Sequence, residues 1–144
     1  MSDLPVDPDL TKLAISGLDY GVSVAAVEPD SAFSPAVITT HLQGPPRITQ
    51  LMVLGVKIDD VFGYACKRLS EMPDVASAAV VMDGSVATGD AVMDAVIVRV
   101  GIPTAAISHE FFQRYRRAGL RRNRIERVAN IGYGGEAPPL FTQE

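Results

Sequence analysis

One cysteine, two histidines and no tryptophan occur among the 144 residues. Cys66 alone cannot close an intramolecular disulfide or build a thiolate zinc cluster. His41 and His109 have no second His or Cys at ligand spacing, so no HExxH-type metal motif exists and no metal or cofactor is implied. Long apolar runs are missing too. LMVLGV, VASAAVVM and AVIV fall well short of the roughly 18 residues that cross a bilayer, and no basic segment with an apolar core opens the chain. A soluble, cytoplasmic protein with no membrane partner is expected. Walker A, GxSxG and Cys–His signatures are absent. Residues 132–137 formally satisfy GxGxxA, but Pro138 and Pro139 follow where a dinucleotide site needs a helix.

Hydrophobic residues make up 47% of the chain and charged residues 21%, enough apolar material for one core and too little charge for disorder. Residues 1–11 carry two prolines and three aspartates and read as an extended N-terminal arm. Residues 12–131 read as a single α+β domain, and 132–144, rich in Gly and Pro, as an irregular tail pinned by Leu140 and Phe141. Within the domain, GVSVAAV (21–27) and AVITTHL (36–42) are β-branched and predict strands. Pro46 suits the first position of a helix, yet residues 48–58 read equally as helix or strand.

Phe62, Ala65, Cys66 and Leu69 recur at helical spacing after Asp59 and Asp60, so a helix ends near Met72. VASAAVVM (75–82) then has strand length, Asp83-Gly84 signals a turn, and VMDAVIVRV returns with both faces mainly apolar. SHEFFQRYRRAGL is ambiguous, with strand preferred over helix. As a strand it places His109, Phe111, Gln113 and Tyr115 on one face and Glu110, Phe112, Arg114 and Arg116 on the other. RNRIERVANIGY pairs back as a last strand.

The block DGSV, DAVIV, QRYRR, AN, GGE and PPLF, spread over residues 75–141, resembles small bacterial proteins of unknown function. That resemblance implies a helix followed by a β-meander and no particular activity. Gly84, Ser85, Thr88 and GIPT (101–104) are also similar to glycine-reductase-like α/β domains. Val86 and Ala87 stand where those domains carry a reactive cysteine or selenocysteine, so this likeness implies no redox activity here.

Charge is divided unevenly. Residues 1–113 hold 6 Lys and Arg against 14 Asp and Glu, while 114–144 hold 7 Arg against 3 Glu, within a formal net charge of −4. The seven are Arg114, Arg116, Arg117, Arg121, Arg122, Arg124 and Arg127. Guanidinium groups this dense need solvent, internal carboxylates or an external anion. A chain acidic overall is not built as a general nucleic-acid binder, although Phe112 and Tyr115 offer stacking surfaces. Structural histidines, an inert Cys66, and turn aspartates at Asp83, Asp90 and Asp94 rather than a cation site are the plainer readings.

The resulting expectation is an α+β domain whose mainly antiparallel sheet packs on one principal helix, with an α/β three-layer fold as the alternative. The remaining apolar sheet surface is expected to be closed by a second layer or by a homo-oligomer partner. For function, the sequence points to a non-enzymatic binding or assembly protein whose arginines contact an anionic small molecule or an acidic protein surface. The alternatives are a small enzyme with an inter-subunit site built from His41, His109 and Asp94, and a nucleic-acid-binding accessory protein.

Overall fold

The computed structural model describes residues 6–27, 34–51, 58–119 and 124–141. In chain order the elements are α1 (Pro8–Val27), β1 (Ala36–His41), β2 (Arg47–Gln50), α2 (Ile58–Ser70), β3 (Val75–Thr88), β4 (Ala91–Gly101), β5 (Ser108–Ala118) and β6 (Arg124–Ala137). The fold is α+β. All six strands join one antiparallel sheet in the order β2-β1-β3-β4-β5-β6, so β3 to β6 form the expected meander after a helix.

Strand alternation sends two sets of apolar side chains to opposite faces. Ile38, Ala79, Val81, Val96, Val98, Phe111 and Tyr115 pack with α1, whereas Val37, Ala78, Val80, Met82 and Ile97 pack with α2 and with Leu140 and Phe141. The chain therefore supplies its own second layer. Both faces of the central strands are covered, which is why those strands read as apolar on both sides.

The N-terminal helix corrects two expectations. Residues 8–11 are not part of an extended arm, because Asp7 caps the helix by accepting from the Asp9 N–H at 2.7 Å and Pro8 occupies the first helical position. Residues 21–27 are not a strand. Leu10, Leu13, Ala14, Gly17, Leu18, Gly21 and Ala25 follow the helical period and are buried, while Lys12, Ser16, Asp19 and Ser23 face outward. By length and by a mean hydropathy of 1.2 this helix could span a bilayer, a possibility the apolar run lengths did not show. Here its apolar stripe lies on the sheet.

Three further boundaries differ from the sequence reading. Pro46 leads into a strand at 47–50 rather than opening a helix, which selects the strand reading for 48–50, held by the β1 register from Ala36↔Gln50 to Thr39↔Arg47; residues 52–57 lie outside the described residues. The hairpin turn is Gly89-Asp90, not Asp83-Gly84, which pair in mid-strand with Val96 and Ala95. Gly89 has φ +65°, the left-handed conformation that a two-residue hairpin asks of its first central residue. The C-terminal segment is a strand as far as Ala137, so the irregular tail begins at Pro138. Leu140 and Phe141 are buried, as their apolar character suggested.

The sheet edges are blunted. β2 is four residues long, and β6 is irregular opposite Glu110/Phe111 and Phe112/Arg114, with Ala129 at φ +63°. Bulges of this kind discourage further strand addition.

Close approach of α1 depends on small residues. A Cβ on Gly21 would overlap Val96, and one on Gly17 would crowd Val81 and Val98 at 3.1–3.3 Å. Gly21→Ala is expected to cost about 1–3 kcal/mol through overpacking, whereas Ser23→Ala on the outer face should stay within about 0.5 kcal/mol. Thermal unfolding of both variants checks this, and an unchanged Tm for Gly21→Ala would refute the packing argument.

Candidate functional site: an arginine-rich ribbon

Strand alternation decides what the arginines do. Arg117 and Arg127 sit on the α1 face of the β5–β6 pair, opposite Ile125 and Tyr115 respectively. Arg117 donates to the Ala25 carbonyl at 2.8 Å, and Arg127 donates to Asp19 at 2.8 Å. The last turn of α1 carries no basic residue of its own, so Arg117 brings a cation and a donor to the negative, unsatisfied end of that helix. These two arginines tie α1 to the sheet.

Arg114, Arg116 and Arg124 point to the other face, where Glu126 pairs with Arg116 and Arg124. Arg116 Nε donates to Glu126 Oε1 at 2.8 Å and Arg124 Nη2 to Oε2 at 3.3 Å. The Arg116 hydrogen bond and charge, with a smaller contribution from Arg124, hold the Glu126 carboxyl below the usual carboxylate range. Arg116 and Arg124 keep 69% and 67% of their side chains exposed, so these ion pairs add little to stability. Each guanidinium has five N–H donors and uses one of them on Glu126. Arg114 lies beside them with a buried Nε that has no hydrogen-bond partner among the described residues. Arg121 and Arg122 lie outside the described residues.

The backbone beneath this group is held by a residue that the sequence reading did not single out. Gln113 is buried, and its amide donates to the Arg114 carbonyl at 3.0 Å and the Ala129 carbonyl at 3.1 Å, with a longer bond to Val128. It replaces ladder hydrogen bonds where β6 departs from register, and so sets how β6 presents its side chains. A lone glutamine between aromatic residues gives no sign of this in one dimension.

The histidine candidates do not meet within one chain. His109 on β5 lies on the α1 face, its Nδ1 2.9 Å from the Tyr133 hydroxyl. His41 lies three strands away, roughly 14 Å by strand spacing alone, on the α2 face with its Nε2 2.7 Å from Thr39 Oγ1. Asp94 pairs with Ser85 toward the far end of β4. Asp83, Asp90 and Asp94 form no metal cluster, and no three His, Cys, Asp or Glu side chains gather for one among the described residues.

A cleft of about 440 Å³ between α2 and the C-terminal segment is lined by Phe62, Cys66, Arg99, Pro139 and Leu140. Its charge is already engaged, because Arg99 stacks 3.8 Å over the Phe62 ring and pairs with Glu110 at 2.9 Å. Burial pushes the Cys66 thiol up, against an opposing effect of Arg99, so Cys66 is a protonated thiol contacting the Pro139 carbonyl at 3.6 Å. The arginine ribbon is the stronger candidate.

No protein family, curated protein or solved structure matches this chain.

At the base of the ribbon, the buried Tyr115 hydroxyl reaches from β5 to Asp83 on β3 and donates at 2.8 Å. Burial first, then the Asp83 hydrogen bond and the Asp83 and Asp94 charges, raise this phenol well above the ordinary range, with Arg117 opposing. A raised folded-state pKa means that its contribution to stability is complete below about pH 10 and is lost as the pH rises toward the folded value. Tyr115→Phe should cost about 1 kcal/mol at neutral pH and flatten the alkaline loss. Urea unfolding of both proteins at neutral pH and above pH 10 measures this; equal alkaline losses would contradict it.

Proposed function

We propose that this chain is a non-enzymatic binding or assembly protein that contacts an anionic ligand or partner through Arg114, Arg116 and Arg124. The observation that carries this reading is the division of labour among the arginines. Two of them secure α1, while three share the other face of the ribbon, where Glu126 pairs with Arg116 and Arg124 and the buried Nε of Arg114 has no partner among the described residues. Packing does not require that second group. Its guanidinium forks match phosphate or carboxylate oxygens, and Arg114 places a buried donor beside them.

A binding role also accords with the separation of His41, His109 and Asp94, which keeps these three from acting on one substrate within one subunit. The acidic charge of the rest of the chain favours a local contact over a long polyanion track, so nucleic acid is a less natural partner than a compact anion or an acidic protein surface.

The two groups of arginines predict opposite outcomes. Arg116→Ala/Arg124→Ala should lower the salt concentration at which the protein leaves a heparin column and leave Tm nearly unchanged. Arg117→Ala/Arg127→Ala should lower Tm through loss of the α1 contacts and shift elution less. Identical elution of the first variant and the wild type would end this reading.

A further inference from the structure

The sheet forks at one end. β4–β5 pairing stops at Ala95↔Arg114, but β3–β4 pairing continues to Thr88↔Ala91 and β5–β6 pairing to Ala118↔Arg124. Beyond the Tyr115–Asp83 hydrogen bond, each pair runs on as a two-stranded ribbon. Because β4 and β5 are antiparallel, both ribbons leave from the same end of the molecule.

Their charges are opposite. The β3–β4 ribbon, residues 83–94, contains three aspartates and no lysine or arginine. Asp90 and Asp94 are exposed, and no cation pairs with either among the described residues. Beside Asp94 along β4, Val92 is 74% exposed, one of the most exposed large apolar side chains described. The β5–β6 ribbon carries the arginine group described above.

We infer that the acidic β3–β4 ribbon of one copy docks on the basic β5–β6 ribbon of a second copy of this chain. The inference rests on the proposed binding role of the arginine face and names its partner. Charge complementarity selects that partner. A polyanion approaching Arg116 and Arg124 would meet the repulsion of Asp90 and Asp94 at the same end of the molecule and would leave Val92, on the other face of the sheet, in water. A second copy instead presents carboxylates to the arginines and arginines to the carboxylates, and covers Val92 as it does so. Reciprocal docking about a two-fold axis satisfies both ribbons of both copies with one kind of contact. Exposed ion pairs contribute little each, so the contact is salt-sensitive and adjusts with protein concentration.

Charge exchange tests this in sedimentation velocity of the full chain. The wild type should self-associate at about 50 mM salt and weaken at least tenfold at about 500 mM, where screening reaches short range. Asp90→Lys/Asp94→Lys makes the β3–β4 ribbon basic like its neighbour, and Arg116→Glu/Arg124→Glu turns the face of the β5–β6 ribbon that carries Glu126 acidic, with three carboxylates against Arg114. Each variant alone should associate at least tenfold more weakly than the wild type, and a mixture of the two should form a heterodimer. Circular dichroism confirms that both are folded, and the milder Asp90→Asn/Asp94→Asn should weaken association in the same direction.

A wild type that stays monomeric at low salt, or exchange variants that associate as the wild type does, would overturn the inference. If the wild type is monomeric while heparin elution still depends on Arg116 and Arg124, self-docking fails and the anion-binding reading stands. If neither measurement responds to the arginines, both fail.

Discussion

The close seat of α1 on β3 and β4 is the constraint on which the rest of the molecule depends. Ala14, Gly17, Gly21 and Ala25 bring the helix backbone near Val81, Val96 and Val98, so one apolar face of the sheet is sealed by the chain itself. With α2, Leu140 and Phe141 on the other face, the central strands are buried on both sides. Large exposed apolar residues such as Leu42, Ile48 and Val92 are scattered over different elements. A partner is therefore not needed to cover the sheet, and self-association has to be argued from charge rather than from exposed core.

That same seat explains the two roles of the arginines. Positioning α1 brings its negative end to Arg117 and its outward Asp19 to Arg127, so the α1-facing members have internal partners. Among the described residues nothing comparable meets Arg114, Arg116 and Arg124; Glu126 on their own ribbon is the carboxylate shared by Arg116 and Arg124. A one-residue step along a strand thus separates a structural arginine from one open to a ligand. Gln113 makes the arrangement definite by filling the irregularity in β6 with hydrogen bonds from its amide.

Parts of the fold were legible because a local signal and a tertiary requirement coincided. The α2 periodicity at Phe62, Ala65 and Leu69, the strand at 36–41 and the alternation of β5 all appear where their patterns place them. Other parts misled because a local signal had two physical meanings. Gly21, Val22 and Val24 read as strand, yet in α1 the two valines flank the buried stripe, half-exposed, and Gly21 with Gly17 permits the close contact with the sheet. Asp83-Gly84 and Gly89-Asp90 both carry turn chemistry, and pairing across the whole length of β3 and β4 selected the second.

The sequence by itself favoured the α+β class over a three-layer α/β fold, excluded an intramolecular disulfide and a thiolate metal cluster, and located the concentration of positive charge between Arg114 and Arg127, because these follow from residue type and short-range period. Only the tertiary structure decided which arginines face α1, that His41 and His109 lie on opposite faces, and that the sheet forks into ribbons of opposite charge. Each of these depends on register and pairing between residues far apart in the chain, and composition carries no record of which strand stops pairing first.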